Sequence, residues 1–251
     1  MRTHYGRINL MGYCFMILVN ILASTFTFHG KTTGDISDQY RTLFTPASYT
    51  FMIWGLIYLL LLGFVIYGLM PDQKKNGYIH AIGYKFLISC LLNGLWLVAW
   101  QYEKLWLSLA IMLLLLWTLI RIYKVLGDTC SVKKSDRRWI NIPFSIYLSW
   151  ICIATIANVA VVLQWTGWNG LGLSDTVWTC IVIVFALLLA LYVSMTNNDL
   201  AFMLTAIWGL VGILVKHLGH NTPISITIIA GLVIMVVAVL THLKEYLCLK
   251  N

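Results

Sequence analysis

The chain has 251 residues, of which 60% are hydrophobic and only 10% charged, with a mean hydropathy of +0.84. A soluble domain carries about a quarter charged residues, so lipid is the solvent for most of this surface; a soluble enzyme, a disordered chain and a secreted disulfide scaffold are excluded. The formal charge of +8 collects in short loops between apolar runs, which points to membrane orientation and against a nucleic-acid partner.

A helix crosses about 30 Å of hydrocarbon with about 20 mostly apolar residues. Eight runs meet that description: Ile8–Phe28, Tyr49–Met70, Ala81–Gln101, Leu105–Val125, Ile142–Leu163, Thr176–Ser194, Leu200–Val215 and Ile224–Thr241. The breaks between them carry Pro, Gly, Asn and charge, as at Pro71-Asp72, Gly127-Asp128, Asn197-Asn198-Asp199 and Gly219 to Pro223. Arg2 and Arg7 precede the first run as in a signal sequence. The run continues to Phe28 without an A-x-A cleavage site, so no cleaved signal peptide is expected. The expected fold is all-α and integral to the cell membrane, with eight transmembrane helices.

Orientation follows from the basic residues. With the N-terminus inside, the inner side holds Arg2, Arg7, Lys74, Lys75, Arg121, Lys124, Lys133, Lys134, Arg137, Arg138, Lys244 and Lys250. The outer side holds Lys31, Arg41, Lys104 and Lys216, and Lys85 lies near the inner end of the third run. Twelve against four predicts both termini in the cytoplasm.

Polar groups within a membrane are costly and mark chemistry. All nine acidic residues (Asp35, Asp38, Asp72, Glu103, Asp128, Asp136, Asp175, Asp199, Glu245) fall in loops or at helix ends, which argues against a proton-coupled transporter. The six His (His4, His29, His80, His217, His220, His242) are peripheral, leaving no axial ligand for haem in mid-membrane. Cys14, Cys90, Cys130, Cys152, Cys180 and Cys248 show no CxxC spacing, so neither zinc nor a disulfide framework is expected. Lys85 can snorkel to the headgroups. Lys216 lacks a buried counter-ion, which argues against a retinal Schiff base. Three amides do lie inside runs: Asn20, Asn93 and Asn158. Each is either interhelical glue, worth about 0.6 kcal/mol, or a ligand contact.

Three helical faces combine aromatic area with small or amide side chains. Trp54 and Tyr58 are four apart; Asn93, Trp96 and Trp100 sit at i, i+3 and i+7; Trp150, Ala154 and Asn158 sit at i, i+4 and i+8. Trp106, Trp139, Trp165, Trp168 and Trp178 read as interface anchors, whereas Trp54, Trp96 and Trp150 lie deeper. Such faces suit a flat hydrophobic ligand held by stacking and an amide hydrogen bond, or plain helix packing.

These residues resemble the TspO family, also called translocator protein, peripheral benzodiazepine receptor or tryptophan-rich sensory protein. Residues Tyr40 to Tyr58 are similar to its Y-x-x-L…P…F-x-x-W-x-x-x-Y pattern, Leu92 to Trp96 to its L-N-x-x-W, and Tyr147 to Asn158 to its Y-L-x-W-x-x-x-A-T-x-x-N. Order and spacing agree over residues 8–164. The resemblance implies a five-helix bundle whose hydrophobic pocket is capped by the loop between its first two helices, with porphyrins, and in some members sterols or synthetic compounds, as ligands. Light-dependent porphyrin breakdown is attributed to some members. Trp54, Tyr58, Asn93, Trp96, Trp150, Ala154 and Asn158 match pocket positions, Trp100-Gln101 stands for an aromatic pair, and Tyr40, Phe44 and Pro46 match the cap. Ile146 replaces the family's Pro before the fifth-helix Tyr. Gln164-Trp-Thr-Gly-Trp stands where a sterol-recognition pattern would follow.

The resemblance divides the chain into a five-helix domain, 1–165, and a three-helix extension, 166–251, without a counterpart in the five-helix fold. Gly209, Gly212 and Gly231 in the extension offer close helix contacts; it is a packing partner, a homodimer surface or a localisation module. The implied function is a multi-pass sensor or receptor that binds a porphyrin-like ligand within the lipid bilayer and holds no resident cofactor. A transporter lacks an inverted repeat. A light-dependent porphyrin-degrading enzyme lacks a nucleophile–base pair. A scaffold with a filled pocket is the remaining alternative, which cavity volume discriminates.

Overall fold

The computed structural model describes residues 5–26, 31–40, 42–127 and 133–248, without the side chains of 26 and 242–248. Arg2, His4, Phe28, His29, Arg41, Asp128, Cys130 and Lys250 therefore lie outside the described residues, as do the side chains of His242, Lys244, Glu245 and Cys248. In chain order the helices are α1 (Tyr5–Phe26), α2 (Thr33–Gln39), α3 (Ile53–Leu69), α4 (Gly77–Ile82), α5 (Lys85–Gln101), α6 (Leu105–Leu126), α7 (Lys134–Asp136), α8 (Ile142–Trp165), α9 (Asp175–Thr196), α10 (Leu200–His217) and α11 (Thr222–Cys248). A 3₁₀ turn, Ser48–Met52, leads into α3, and a π turn, Arg137–Asn141, leads into α8. No strand occurs among the described residues.

Seven stretches among the described residues are long and apolar enough to cross a membrane. The third expected run falls short of that length. Gly83 takes φ +55°, a conformation that glycine adopts without steric cost, and it splits Ala81–Gln101 into the end of α4 and the 17 residues of α5. Lys85 Nζ donates to the Ala81 carbonyl at 2.9 Å, so this cation closes the broken helix end. Several starts are capped in the usual way: Asn76 accepts from the Tyr78 amide, Ser174 from Val177 and Asp199 from Phe202.

Helices α3, α1, α5, α6 and α8 pack in that order as a closed ring, since α8 returns to α3. Inside the ring, Phe64 lies 5.0 Å from Phe86 and 5.0 Å from Phe144 between ring centroids. Helix α10 packs against α8, and α9 and α11 pack against α10. The outward faces carry exposed Leu59, Trp117, Phe185 and Leu240, which only lipid can cover at low cost. Burial inverts for acids: Asp136 and Asp199 are buried. Asp136 accepts from Tyr67 and Asn76 at 2.8 and 2.7 Å. Asp199 accepts from Tyr123 and Ser145 hydroxyls at 2.8 and 2.5 Å.

The extension glycines mark its tightest approaches. A Cβ on Gly209 would stand 2.4 Å from Ile153 Cδ1 of α8, one on Gly212 2.1 Å from Thr50 Oγ1, and one on Gly231 2.2 Å from Leu187 Cδ1 of α9. A Cβ on Gly55 meets nothing within 4 Å. Gly→Ala therefore has opposite signs at two helical sites. Gly55→Ala gains about 0.8–1 kcal/mol of helix propensity. Gly212→Ala pushes α10 from the 3₁₀ turn and costs about 1–3 kcal/mol by overpacking. Thermal unfolding in detergent should rise for the first and fall for the second; equal shifts would contradict the packing.

Candidate functional site

The three aromatic faces converge into one cluster. Trp54 stacks on Tyr58 with centroids 5.6 Å apart and meets Trp96 at 5.9 Å and, edge-on, Trp150 at 6.3 Å. Trp96 stacks on Trp100 at 6.0 Å, and Phe51 meets Trp150 edge-on at 6.0 Å. Each spacing lies in the range of favourable aromatic pairs, worth about 0.5–1.5 kcal/mol beyond area burial. The indole Nε1 atoms of Trp96 and Trp150 are buried without a partner, although a buried donor left unmade costs about 1–3 kcal/mol.

Below the cluster runs a chain of polar side chains from four helices. Tyr58 donates to Asn20 Oδ1 at 2.6 Å, Asn20 Nδ2 donates to Asn93 Oδ1 at 3.1 Å, and Asn93 Nδ2 donates to the Tyr147 hydroxyl at 3.2 Å. Tyr13 donates to the Tyr58 carbonyl at 3.1 Å. Asn158 donates to Ser108 Oγ at 3.3 Å, which ties α8 to α6. The amides of Asn93 and Asn158 are thus engaged within the protein. Sequence reasoning missed Tyr147 and Ser108 as their partners; only helix order around the ring brings them together.

Space near the cluster is divided. Between α3, α5 and α8 the cavity is about 30 Å³, lined by Pro46, Phe51, Trp54, Trp96, Trp100, Trp150, Ala154 and Asn158. That volume holds one or two waters. Next to it a groove of about 580 Å³ opens between α1, α3 and α5 beneath the start of α2, lined by Asn20, Phe51, Trp54, Tyr58, Trp96 and Gln101. Thr33, Phe51, Trp54 and Trp96 line both, and the two indoles form most of the common wall. Gln101 donates from Nε2 to the Ala23 carbonyl at 3.0 Å, and its buried Oε1 has no partner. Phe44 lines a separate space of about 200 Å³ between α8 and α9, beside Trp168 and Trp178. Asn93 and Tyr40 line none of these three spaces.

Residues 31–40 and 42–52 cap the cluster and are latched from two sides. On one side Glu103, in the turn after α5, pairs with Lys31 at 3.0 Å and accepts from the Tyr40 hydroxyl at 2.8 Å and Gln39 Nε2 at 3.0 Å. On the other side α10 supplies four contacts. Lys216 pairs with Asp38 at 2.6 Å, His217 Nε2 lies 2.7 Å from the Leu43 carbonyl, Trp208 Nε1 donates to the Thr50 carbonyl at 3.0 Å, and the Ala47 amide donates to the Gly212 carbonyl at 3.0 Å. Trp100 adds a bond from Nε1 to the Thr33 carbonyl at 3.2 Å. The counter-ion of Lys216 is therefore the Asp38 carboxylate of α2, within the cap. The extension is a clamp on the cap.

The Glu103 latch has a defined pH window. Hydrogen bonds from Lys31 and Tyr40 hold the Glu103 carboxyl below its usual value, while burial and the bond to Glu103 push the Tyr40 phenol up to about 12. The depressed carboxyl contributes stability above the unfolded Glu value of about 4.3 and loses it as pH falls through the depressed one. The raised phenol contributes below about 10 and loses that contribution as pH climbs through about 12. At neutral pH, Tyr40→Phe removes one hydrogen bond, about 1 kcal/mol, and should speed amide exchange across residues 33–48 about fivefold. Glu103→Ala, which removes three partners, should speed it further. Unchanged exchange in both variants would refute the latch.

Comparison with known proteins bears on the whole chain. No curated protein and no solved structure matches it. A family model described as "TSPO-like protein" matches residues 7–241. The match does not stop at residue 165; it runs through α9 and α10 into α11, so the last three helices lie within the family's span. With a closed helical ring, lipid-facing outer surfaces and an aromatic cluster under a loop between α1 and α3, the chain belongs to the TSPO-like family of integral membrane proteins.

Proposed function

We propose that the protein is a membrane receptor or sensor for a flat hydrophobic ligand of the porphyrin or tetrapyrrole class, bound in the groove between α1, α3 and α5. The observation that carries this reading is the groove itself: about 580 Å³ walled by the Trp54–Tyr58 stack and Trp96. Ligand sites run from about 300 to 1,000 Å³ with apolar walls and a few polar groups. Ser24, Thr32 and Ser48 in its lining supply the few polar groups. The cavity of about 30 Å³ beyond Trp54 is too small for such a ligand, which shifts the expected site towards α1. Trp100, Trp150, Ala154 and Asn158 then support the wall from behind.

In this reading α5 is the eighth crossing. It is shortened to about 26 Å at 1.5 Å per residue and held inside the ring between α1 and α6. The charge bias supports an orientation with both termini in the cytoplasm, and the reading takes the cell membrane as the protein's location.

Absorbance titration of the purified protein with protoporphyrin tests the proposal. Trp54→Ala removes the shared wall and should weaken binding about 10- to 100-fold, as loss of 1.5–3 kcal/mol of aromatic contact implies. Ala154→Leu, which fills only the smaller cavity, should leave binding within about threefold. The opposite ranking, or no binding at all by the wild type, would overturn the groove as the site. Porphyrin flux in proteoliposomes separates sensing from transport, since a receptor binds without flux.

A further inference from the structure

A second and larger crevice, about 680 Å³, runs between α3, α8 and α10, away from the aromatic cluster. Its length is apolar and open to lipid: Leu56, Leu204 and Trp208 on its walls are each more than a third exposed. Its end at the π turn is different. Arg137 lines it there, and its guanidinium makes no ion pair with a carboxylate among the described residues. Asn141, one π turn on, is 2% exposed and its Oδ1 has no hydrogen-bond partner. Asp199, also at this end, accepts from Tyr123, Ser145 and the Phe202 amide and forms no ion pair with Arg137. The flanking side chains Lys133, Lys134 and Arg138 are exposed.

We infer that this crevice binds one anionic glycerophospholipid, with its phosphate on Arg137 and an acyl chain along α10. Three features select that chemistry. Arg presents a planar fork that matches phosphate oxygens in bidentate fashion. Asn141 Oδ1 is an acceptor with nothing to bond inside the protein, and by a half-turn the amide offers either atom to a headgroup hydroxyl or a phosphate oxygen. A basic cluster beside a gap between helices, at the edge that the charge bias assigns to the cytoplasm, favours a negative headgroup over a zwitterionic one. The apolar walls supply the place for the chain, which a free phosphate lacks. The inference does not depend on porphyrin binding, because the two spaces share no residue.

Native mass spectrometry of the full chain in detergent, titrated with phosphatidylglycerol and with phosphatidylcholine, tests it. The wild type should retain one phosphatidylglycerol with at least a tenfold preference over phosphatidylcholine. Arg137→Gln should abolish the preference, Arg137→Lys should keep part of it, and Lys104→Gln, at the start of α6 and outside both the crevice and the basic cluster, should leave it within about twofold. Leu204→Trp fills the acyl path and should lower retention of both lipids; an unchanged melting temperature in that variant separates this from misfolding. Equal retention of the two lipids by the wild type, or an unaltered preference in Arg137→Gln, would overturn the assignment. Inorganic phosphate that displaces phosphatidylglycerol at equal concentration would overturn it too, since the site would then be one for a free anion.

Discussion

Inside a hydrocarbon slab a polar side chain has no water to fall back on, so each must find its partner within the protein. The ring of α1, α3, α5, α6 and α8 is arranged around that requirement. Asn93 points from α5 into the ring, and its amide is shared between Asn20 of α1 and Tyr147 of α8, while Tyr58 of α3 completes the circuit. Rotating any one of these helices by a residue would leave an amide or phenol stranded. The network therefore fixes the register of four helices at once, and the stacked aromatic rings above it inherit their geometry from that register. The rule is broken at a few buried atoms among the described residues, those of Trp96, Trp150, Gln101 and Asn141 belonging to side chains that border a cavity or crevice, whereas those of Asn9 and Thr50 do not.

Much of this was legible in the residues. Helical runs followed from apolar length, the three aromatic faces from spacing, and the family from motifs on those faces. The convergence of Trp54, Trp96 and Trp150 matches their placement as deep residues. The break at Gly83 was hidden because glycine within an apolar run reads as helix until its φ is known. Asp136 and Asp199 looked like ordinary loop acids; their burial arises from Tyr67, Asn76, Tyr123 and Ser145, which are far away in sequence. The volume between α3, α5 and α8 could not be read at all, because it depends on how four indoles tilt against one another. Residue types announced an aromatic site, but not that the open space lies on the α1 side of Trp54.

The last three helices show how local reasoning undervalues distant parts of a chain. No residue in them resembles a binding position, yet α10 supplies an ion pair, two backbone contacts and an indole bond to the segment that roofs the site. Gly209 and Gly212 earlier read as generic packing residues. They are the places where a side chain would hold α10 off α8 and off the cap. Contacts and the family match both extend across residue 165.

The Asp38–Lys216 pair joins residues 178 positions apart, and this separation reaches back to the birth of the molecule. At roughly 5–20 residues per second of synthesis, on the order of ten to thirty seconds pass between emergence of the two partners. During that interval α1, α3 and α5 already exist, while the roof over their groove has only its Glu103 side fastened. A newly made chain thus passes through a stage with an open-topped groove. Only with α10 in place can the second side of the roof be fastened.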